Sequence, residues 1–212
     1  MARRERAFMR GMTLHVTQRG NNRTATFREP FDYEIFLFFI RLMIGRYDVQ
    51  VHAYALMSNH FHLMVTPESP AALSRAMQSL GRRYVRYFND RYERTGTLWE
   101  GRYRTAIITD ERYWLTCLRY VEMNPVRAGL AGSAESYKWS SYRAHAFGAA
   151  DPLVAAHPVY DALASTPDRR QEAWRHMCGT PVQTEQLEIL RKSIATGVVV
   201  GAAFLSACGD ST

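Results

Sequence analysis

The element order read from the sequence is strand, helix, strand, strand, helix, strand, helix. Its first six members predict an α+β domain of the ferredoxin-like, split βαβ kind. Three observations carry that expectation. Short runs of alternating apolar and β-branched residues recur at 12–17, 49–57, 60–66 and 103–109. Two longer segments, 30–47 and 70–92, carry broad apolar faces at helical spacing. Only Ser58-Asn59 separates the second strand from the third, which is room for a hairpin turn and nothing more. The expected architecture is an antiparallel sheet with helices on one face, plus a small helical C-terminal extension.

Each element has a local reason. The strand MTLHVT (12–17) runs into Arg19-Gly20-Asn21-Asn22-Arg23, a turn-forming cluster flanked by arginines. Pro30 opens the first helix, and VQVHAYALM and HFHLMVT form the hairpin. Ser69 caps the second helix ahead of Pro70, and Thr95-Gly96 breaks the chain after it. The strand YRTAIIT follows; Asp110 then caps a third helix from Glu111 to about Met123. That helix is expected to stop near Asn124-Pro125, because the residue before proline avoids helical geometry. Beyond Tyr142 the pattern loosens. Residues 144–159 read as a linker, with further helices near 167–178 and 184–196. The division expected is a domain over residues 1–145 and an extension over 146–212.

At 212 residues and 47% hydrophobic, the chain has enough apolar material for a real core. No run of eighteen apolar residues occurs, so a transmembrane helix and a membrane partner are not expected. The segment Ile194 to Cys208 is too short and too rich in Gly and Ala to span a bilayer. Met1–Arg10 is basic but no apolar signal region follows, which argues against secretion. Cys117, Cys178 and Cys208 are odd in number and lack CxxC spacing, so neither a disulfide framework nor a zinc knuckle is indicated. A cytoplasmic location follows.

Charge is uneven along the chain. Residues 1–150 hold 22 basic against 13 acidic side chains, and residues 151–212 hold 5 against 7. Only Lys138 and Lys192 are lysines. Arginine forks match phosphate oxygens and stack on bases, so a polyanion such as nucleic acid suits the first part of the chain. A GC-rich coding bias also writes Arg for Lys, and composition alone does not separate the two.

Within the hairpin, LMSNHFHLM places two histidines one residue apart. On a strand they share a face, with Phe61, Leu63 and Val65 on the other, the core face. If helices cover only the core face, His60 and His62 lie on the open side, where two imidazoles can chelate one divalent cation. Two polar residues on a wet strand face need no metal, and HxH alone does not decide the matter. His15 and His52 fall within strands and read as ordinary half-buried residues.

The segment RYVEMNPVRAGL adds Tyr120 and Asn124, four residues apart and so on one helical face. A tyrosine hydroxyl is a competent nucleophile when a cation withdraws charge from the phosphate it attacks, and an amide oxygen one turn away can ligate that cation. A packed Tyr and a helix-ending Asn explain the same spacing.

Taken together, LMSNHFHLMV and RYVEMNPVRAGL resemble the single-tyrosine HUH transposases (insertion sequence 200-like), and most closely the REP-associated tyrosine transposases. HVTQRGNNR at 15–23, RYFNDRYERTGTLWEGRYRT at 86–105 and WSSYR at 139–143 agree and stand in the family's order, so the likeness covers roughly residues 10–145. The resemblance implies a DNA-nicking and strand-joining enzyme acting on single-stranded DNA with hairpin structure. His60, His62 and Asn124 would be metal ligands for Mg²⁺ or Mn²⁺, and Tyr120 the nucleophile that forms a 5′-phosphotyrosine. A protein that keeps the fold but only binds such DNA is the alternative. Relatives act as monomers or homodimers, and the enzyme would meet its DNA at the nucleoid. Ser58 stands where many relatives have proline. The tail GVVVGAAFLSACGDST lacks the basic terminus of many relatives, which sets any DNA-binding role of that tail in question.

For DNA contact, the residues themselves single out Arg19, Asn21, Asn22 and Arg23 on the loop after the first strand. Arg82, Arg83 and Arg86 form a basic helix interleaved with aromatics; Trp99 offers a stacking surface, and Arg102 and Arg104 alternate along the next strand. Tyr84, Tyr87 and Phe88 read equally well as helix core.

Overall fold

Residues 11–180 and 184–196 are described by the computed structural model. The basic segment 1–10, the apolar run beyond Thr196, the tail and Cys208 lie outside the described residues. The elements are β1 (Leu14–Arg19), α1 (Pro30–Tyr47), β2 (Val49–Met57), β3 (His60–Pro67), α2 (Pro70–Arg91) and β4 (Arg104–Ile107). They continue with α3 (Glu111–Glu122), α4 (Asn124–Arg127), α5 (Tyr142–Phe147), α6 (Pro158–Asp161), α7 (Pro167–Gly179) and α8 (Thr184–Thr196). The sheet order is β2-β3-β1-β4, every pairing antiparallel, which is the split βαβ arrangement. Helix starts follow the cap chemistry: Ser69 Oγ accepts from the Ala72 N–H at 3.1 Å and Asp110 Oδ1 from the Tyr113 N–H at 2.8 Å.

The first core lies between one sheet face and the pair α1/α2. Val16, Phe61, Leu63 and Val65 from the strands meet Phe36, Ile40, Leu80, Tyr84 and Phe88 from the helices. A β-bulge interrupts β2 between Val51 and Ala53. Strict alternation would send Ala53 and Ala55 to the same face as Val51. The extra residue, His52, reverses the parity, so Tyr54 and Leu56 join the first core while Ala53 and Ala55 turn the other way.

That second face is not open, contrary to the sequence expectation for the side carrying the histidines. The helices of the split βαβ unit do share one face, but α3 lies across the other, with Trp114, Cys117, Leu118 and Val121 in one cluster with Ala53, Ala55 and Met64. The physical reason is the pair of small side chains on β2, which gives a helix room to approach. Trp174 of α7 and Leu190 of α8 complete this second core, so the extension packs with α3.

Residues 144–159 are correspondingly not a free linker. Ser141 and Ala155 donate backbone N–H groups to Tyr54 O and Val51 O at 3.0 and 2.7 Å, and Tyr54 Oη donates to Asp151 at 2.8 Å. The segment is strapped along β2, which lies at the sheet edge and so has unpaired backbone groups to offer. Among the described residues, no helix is long and apolar enough to cross a membrane.

Candidate active site

Sheet register assembles one end of the second face. Across β1 and β3, Arg19 pairs with His60 and Thr17 with His62; across β1 and β4, Thr17 pairs with Arg104. Directly paired residues share a face, so two imidazoles, a hydroxyl and two guanidinium groups stand together. Gly20 ends β1 because the chain turns tightly there: a Cβ at this position would collide with the Thr24 carbonyl oxygen.

Over this end of the sheet α3 delivers Tyr120. Its ring centroid lies 5.7 Å from that of His62 at an interplanar angle of 89°, and the His60 and His62 centroids are 4.9 Å apart. Asn124 is not on the same continuous helix as Tyr120, as the i, i+4 reading assumed. α3 ends at Glu122, and α4 begins at Asn124 after Met123. Pro125, with no N–H to continue the ladder, accounts for the break. Both side chains nonetheless line one cleft of about 430 Å³, together with Thr17, Arg19, His60, His62, Arg102 and Arg104. Arg191 and Ile194 of α8 also line it, and Glu100 is the single carboxylate of the lining among the described residues.

Both histidines are held as neutral bases. Burial pushes His60 down to about 4, with the Arg19 charge adding to it. Burial, then the His15, His60, Arg127 and Arg19 charges, holds His62 well below the ordinary range. His60 Nδ1 lies 2.7 Å from Asn59 Oδ1, and Asn59 Nδ2 donates to the Arg23 carbonyl at 3.0 Å. The second contact orients the amide, so Asn59 Oδ1 must accept and His60 Nδ1 must donate. The lone pair of His60 is therefore on Nε2.

These residues fit a divalent cation. His62 Nε2 is buried with no hydrogen-bond partner among the described residues, a costly state that a ligated metal would relieve. Two neutral imidazoles and an amide oxygen form a mixed N/O donor set suited to Mn²⁺ or Mg²⁺. Asn124 lines the same cleft as His60 and His62, so its amide oxygen is available there as a third donor.

Two residues were missed at the sequence level. His15, read as an ordinary half-buried strand residue, is 1% exposed and stacks on His62 at 5.0 Å between centroids. Its i, i+4 spacing to Arg19 in HVTQR lacked any signal of a partner on another strand. Arg127 sets its guanidinium over the Tyr120 ring at 4.1 Å and donates from Nη2 to the Tyr120 carbonyl at 2.6 Å. Seven residues beyond the tyrosine and across a helix break, it could not be assigned to that ring by periodicity.

The other DNA-contact candidates divide. Arg19, Arg102 and Arg104 line the cleft, although Arg102 precedes β4 and does not alternate along it. Asn21, Asn22 and Arg23 form a short 3₁₀ turn beside it, with Asn22 and Arg23 at φ of 52° and 58°. Arg82, Arg83 and Arg86 point outward from α2, on the opposite side of the sheet from the cleft, and Arg86 pairs with Asp90. Trp99 needs correction as a stacking platform. It is 6% exposed, buried against Phe36, Phe61 and Tyr84, because its backbone bridges to Gly20 and turns the indole into the first core. Tyr84 and Phe88 are core as well.

The family model described as "Transposase IS200 like" matches residues 8–124, more than half of the chain. No curated protein matches it. Among solved structures, a REP-associated tyrosine transposase bound to a REP hairpin is similar at 18% identity and a TM-score of 0.58, covering 74% of this chain and 93% of that one. At that identity the likeness speaks for the fold. A protein described as a transposase from Deinococcus radiodurans, at 16% identity and a TM-score of 0.40, covers 57% of this chain and 96% of its own. Saccharomyces cerevisiae tRNA(His) guanylyltransferase, at 10% and 0.45, covers 86% and 84%. These last two add nothing to the argument.

Proposed function

The chain belongs to the IS200-like transposase family, and from that premise we propose that it nicks and rejoins single-stranded DNA beside hairpin-forming, REP-like sequences. Tyr120 is the nucleophile. The observation that carries this reading is the meeting of Tyr120, His60, His62 and Asn124 in one arginine-lined cleft, from elements up to sixty-four residues apart in sequence. Binding DNA without cutting it needs arginines but not this combination.

Tyr120 Oη attacks a backbone phosphorus. The Oη–P bond forms, the P–O3′ bond breaks, the phenol proton passes to solvent and the departing O3′ takes one up. The products are a 5′-phosphotyrosine and a free 3′-OH. A second 3′-OH reverses the step and joins strands without ATP, because the phosphotyrosine is still a phosphodiester. Arg19, Arg102, Arg104 and Arg191 hold the DNA backbone against the sheet end. Arg127 keeps the Tyr120 ring and its carbonyl in place. Mg²⁺ or Mn²⁺, when bound by His60, His62 and Asn124, would withdraw charge from the scissile phosphate. The protein acts as a monomer or a homodimer. Its place of action is the nucleoid.

The test is a denaturing gel with labelled hairpin oligonucleotides taken from DNA flanking the gene, with Mn²⁺ or Mg²⁺. Wild type is expected to give a covalent adduct at the 5′ end of the cut strand. Tyr120→Phe should lower adduct formation by roughly 10⁴-fold or more while still binding the hairpin. An undiminished adduct with Tyr120→Phe would remove Tyr120 as nucleophile.

A further inference from the structure

We propose that His15 is a positioning residue that sets which ring nitrogen of His62 carries the proton, keeping the Nε2 lone pair free for the cleft, by accepting a hydrogen bond from His62 Nδ1. The inference rests on the reading of His60 and His62 as metal ligands and adds the residue that prepares one of them.

The geometry is local and well defined. β1 pairs Thr17 with His62 and His15 with Met64, which puts His15 diagonally behind His62, one pair deeper into the second face. The two rings are nearly parallel, with 18° between planes, and His15 Nε2 lies 2.9 Å from His62 Nδ1. Both side chains are buried, at 1% and 4% exposure, so water does not compete for this contact.

Between two neutral imidazoles, one proton occupies that contact. If it belongs to His62 Nδ1, then His62 Nε2 is a bare lone pair in the cleft wall. If it belongs to His15 Nε2, the proton of His62 must sit on Nε2, which blocks the lone pair. Each direction buries one N–H that has no acceptor among the described residues, His15 Nδ1–H in the first case and His62 Nε2–H in the second, so that count does not discriminate. The neighbour does. His60 is fixed with its proton on Nδ1 by Asn59, whose amide is oriented in turn by the Arg23 carbonyl. Nδ1 of each ring is thus engaged by the protein, through unrelated partners, and Nε2 of each is left over at the same cleft. A histidine that ligates through one nitrogen while the other donates to a fixed acceptor is the arrangement by which proteins orient metal-binding imidazoles. Here the acceptor is a second imidazole.

The experiment is long-range ¹H–¹⁵N NMR of the histidine rings in the metal-free protein, with Mn²⁺ titrations alongside. It compares wild type, His15→Phe, which keeps a flat ring without an acceptor, and His15→Gln, which restores one. Thermal unfolding monitors the fold of each. Wild type and His15→Gln are expected to carry the His62 proton on Nδ1, and His15→Phe to move it to Nε2. Mn²⁺ affinity should fall about 10–100-fold in His15→Phe and stay near wild type in His15→Gln. The proposal is overturned if wild-type His62 is protonated on Nε2, a measurement that needs no variant to fold. It is equally overturned if His15→Gln loses as much affinity as His15→Phe, since packing alone would then explain the loss. If the tautomer follows His15 but wild type takes up no Mn²⁺, the ligand reading of the cleft fails while the control of His62 by His15 stands.

Discussion

The indole of Trp174 donates from Nε1 to Oε2 of Glu122 at 2.9 Å, joining helices 52 residues apart inside the second core. Glu122 is fully buried, and its other oxygen accepts from Ser141 Oγ at 2.5 Å and meets His145 Nδ1 at 2.7 Å. One carboxylate therefore ties α3, which carries Tyr120, both to the start of α5 and to α7 of the extension.

Replacing Glu122 by Ala should orphan three buried partners at once, each at a cost of about 1–3 kcal/mol. The expected loss is about 3–5 kcal/mol of stability. Melting should drop by about 10 °C or more for a chain of this size. Differential scanning calorimetry checks it. A drop of only a degree or two would mean that the network contributes little and that α3 is held by apolar packing alone.

The arginines should separate by position. Arg102→Ala and Arg104→Ala, in the cleft lining, are expected to weaken hairpin binding and to lower the slope of log affinity against log salt by about one each. Arg82→Ala and Arg86→Ala, on the outer side of α2, should leave both quantities nearly unchanged. Fluorescence anisotropy across a salt series measures this. Equal effects from both sets would show that the DNA path wraps to the helical face.

Stability should fall on acidification, in part through His52. Its ring is 1% exposed, with Nδ1 3.1 Å from the Ala155 carbonyl oxygen and Nε2 2.9 Å from Thr66 Oγ1. Burial pushes it down to about 4, against the upward pull of the Ala155 contact. Above about pH 6.5 the ring is neutral in both states and contributes no pH dependence. Between about 6.5 and 4 the unfolded chain binds a proton that the folded one does not. Stability is then lost by up to about 1.4 kcal/mol per pH unit. Urea unfolding at pH 7.5, 6.5 and 5.5 should show a steeper decline in wild type than in His52→Asn. Parallel declines would assign the acid sensitivity to the other buried histidines.

Much of this was legible in the sequence. The bounds of α1 and β2, the two-residue hairpin and the Ser69 and Asp110 caps were readable because each depends on neighbours within four residues. The motif residues His60, His62, Tyr120 and Asn124 were legible through local spacing and a family resemblance. The bulge at His52 was not, because an extra residue in an alternating run of buried side chains leaves no mark on the pattern. Trp99 misled for a related reason. A tryptophan between arginines looks like a stacking surface until the bridge to Gly20 turns it inward.

By itself, then, the sequence determined the order of elements through α3, the two faces of β3, and the candidate residues for the proposed chemistry. Those follow from backbone periodicity, which is a short-range property. Tertiary structure alone decided that the histidine face is roofed by α3 and that α8 supplies Arg191 to the cleft wall. It alone set His15 behind His62 and Arg127 on Tyr120. Each of these depends on strand register or on helix docking across a sheet, where side chains distant in sequence meet because small residues leave room for them. Spacing along one chain carries no record of that.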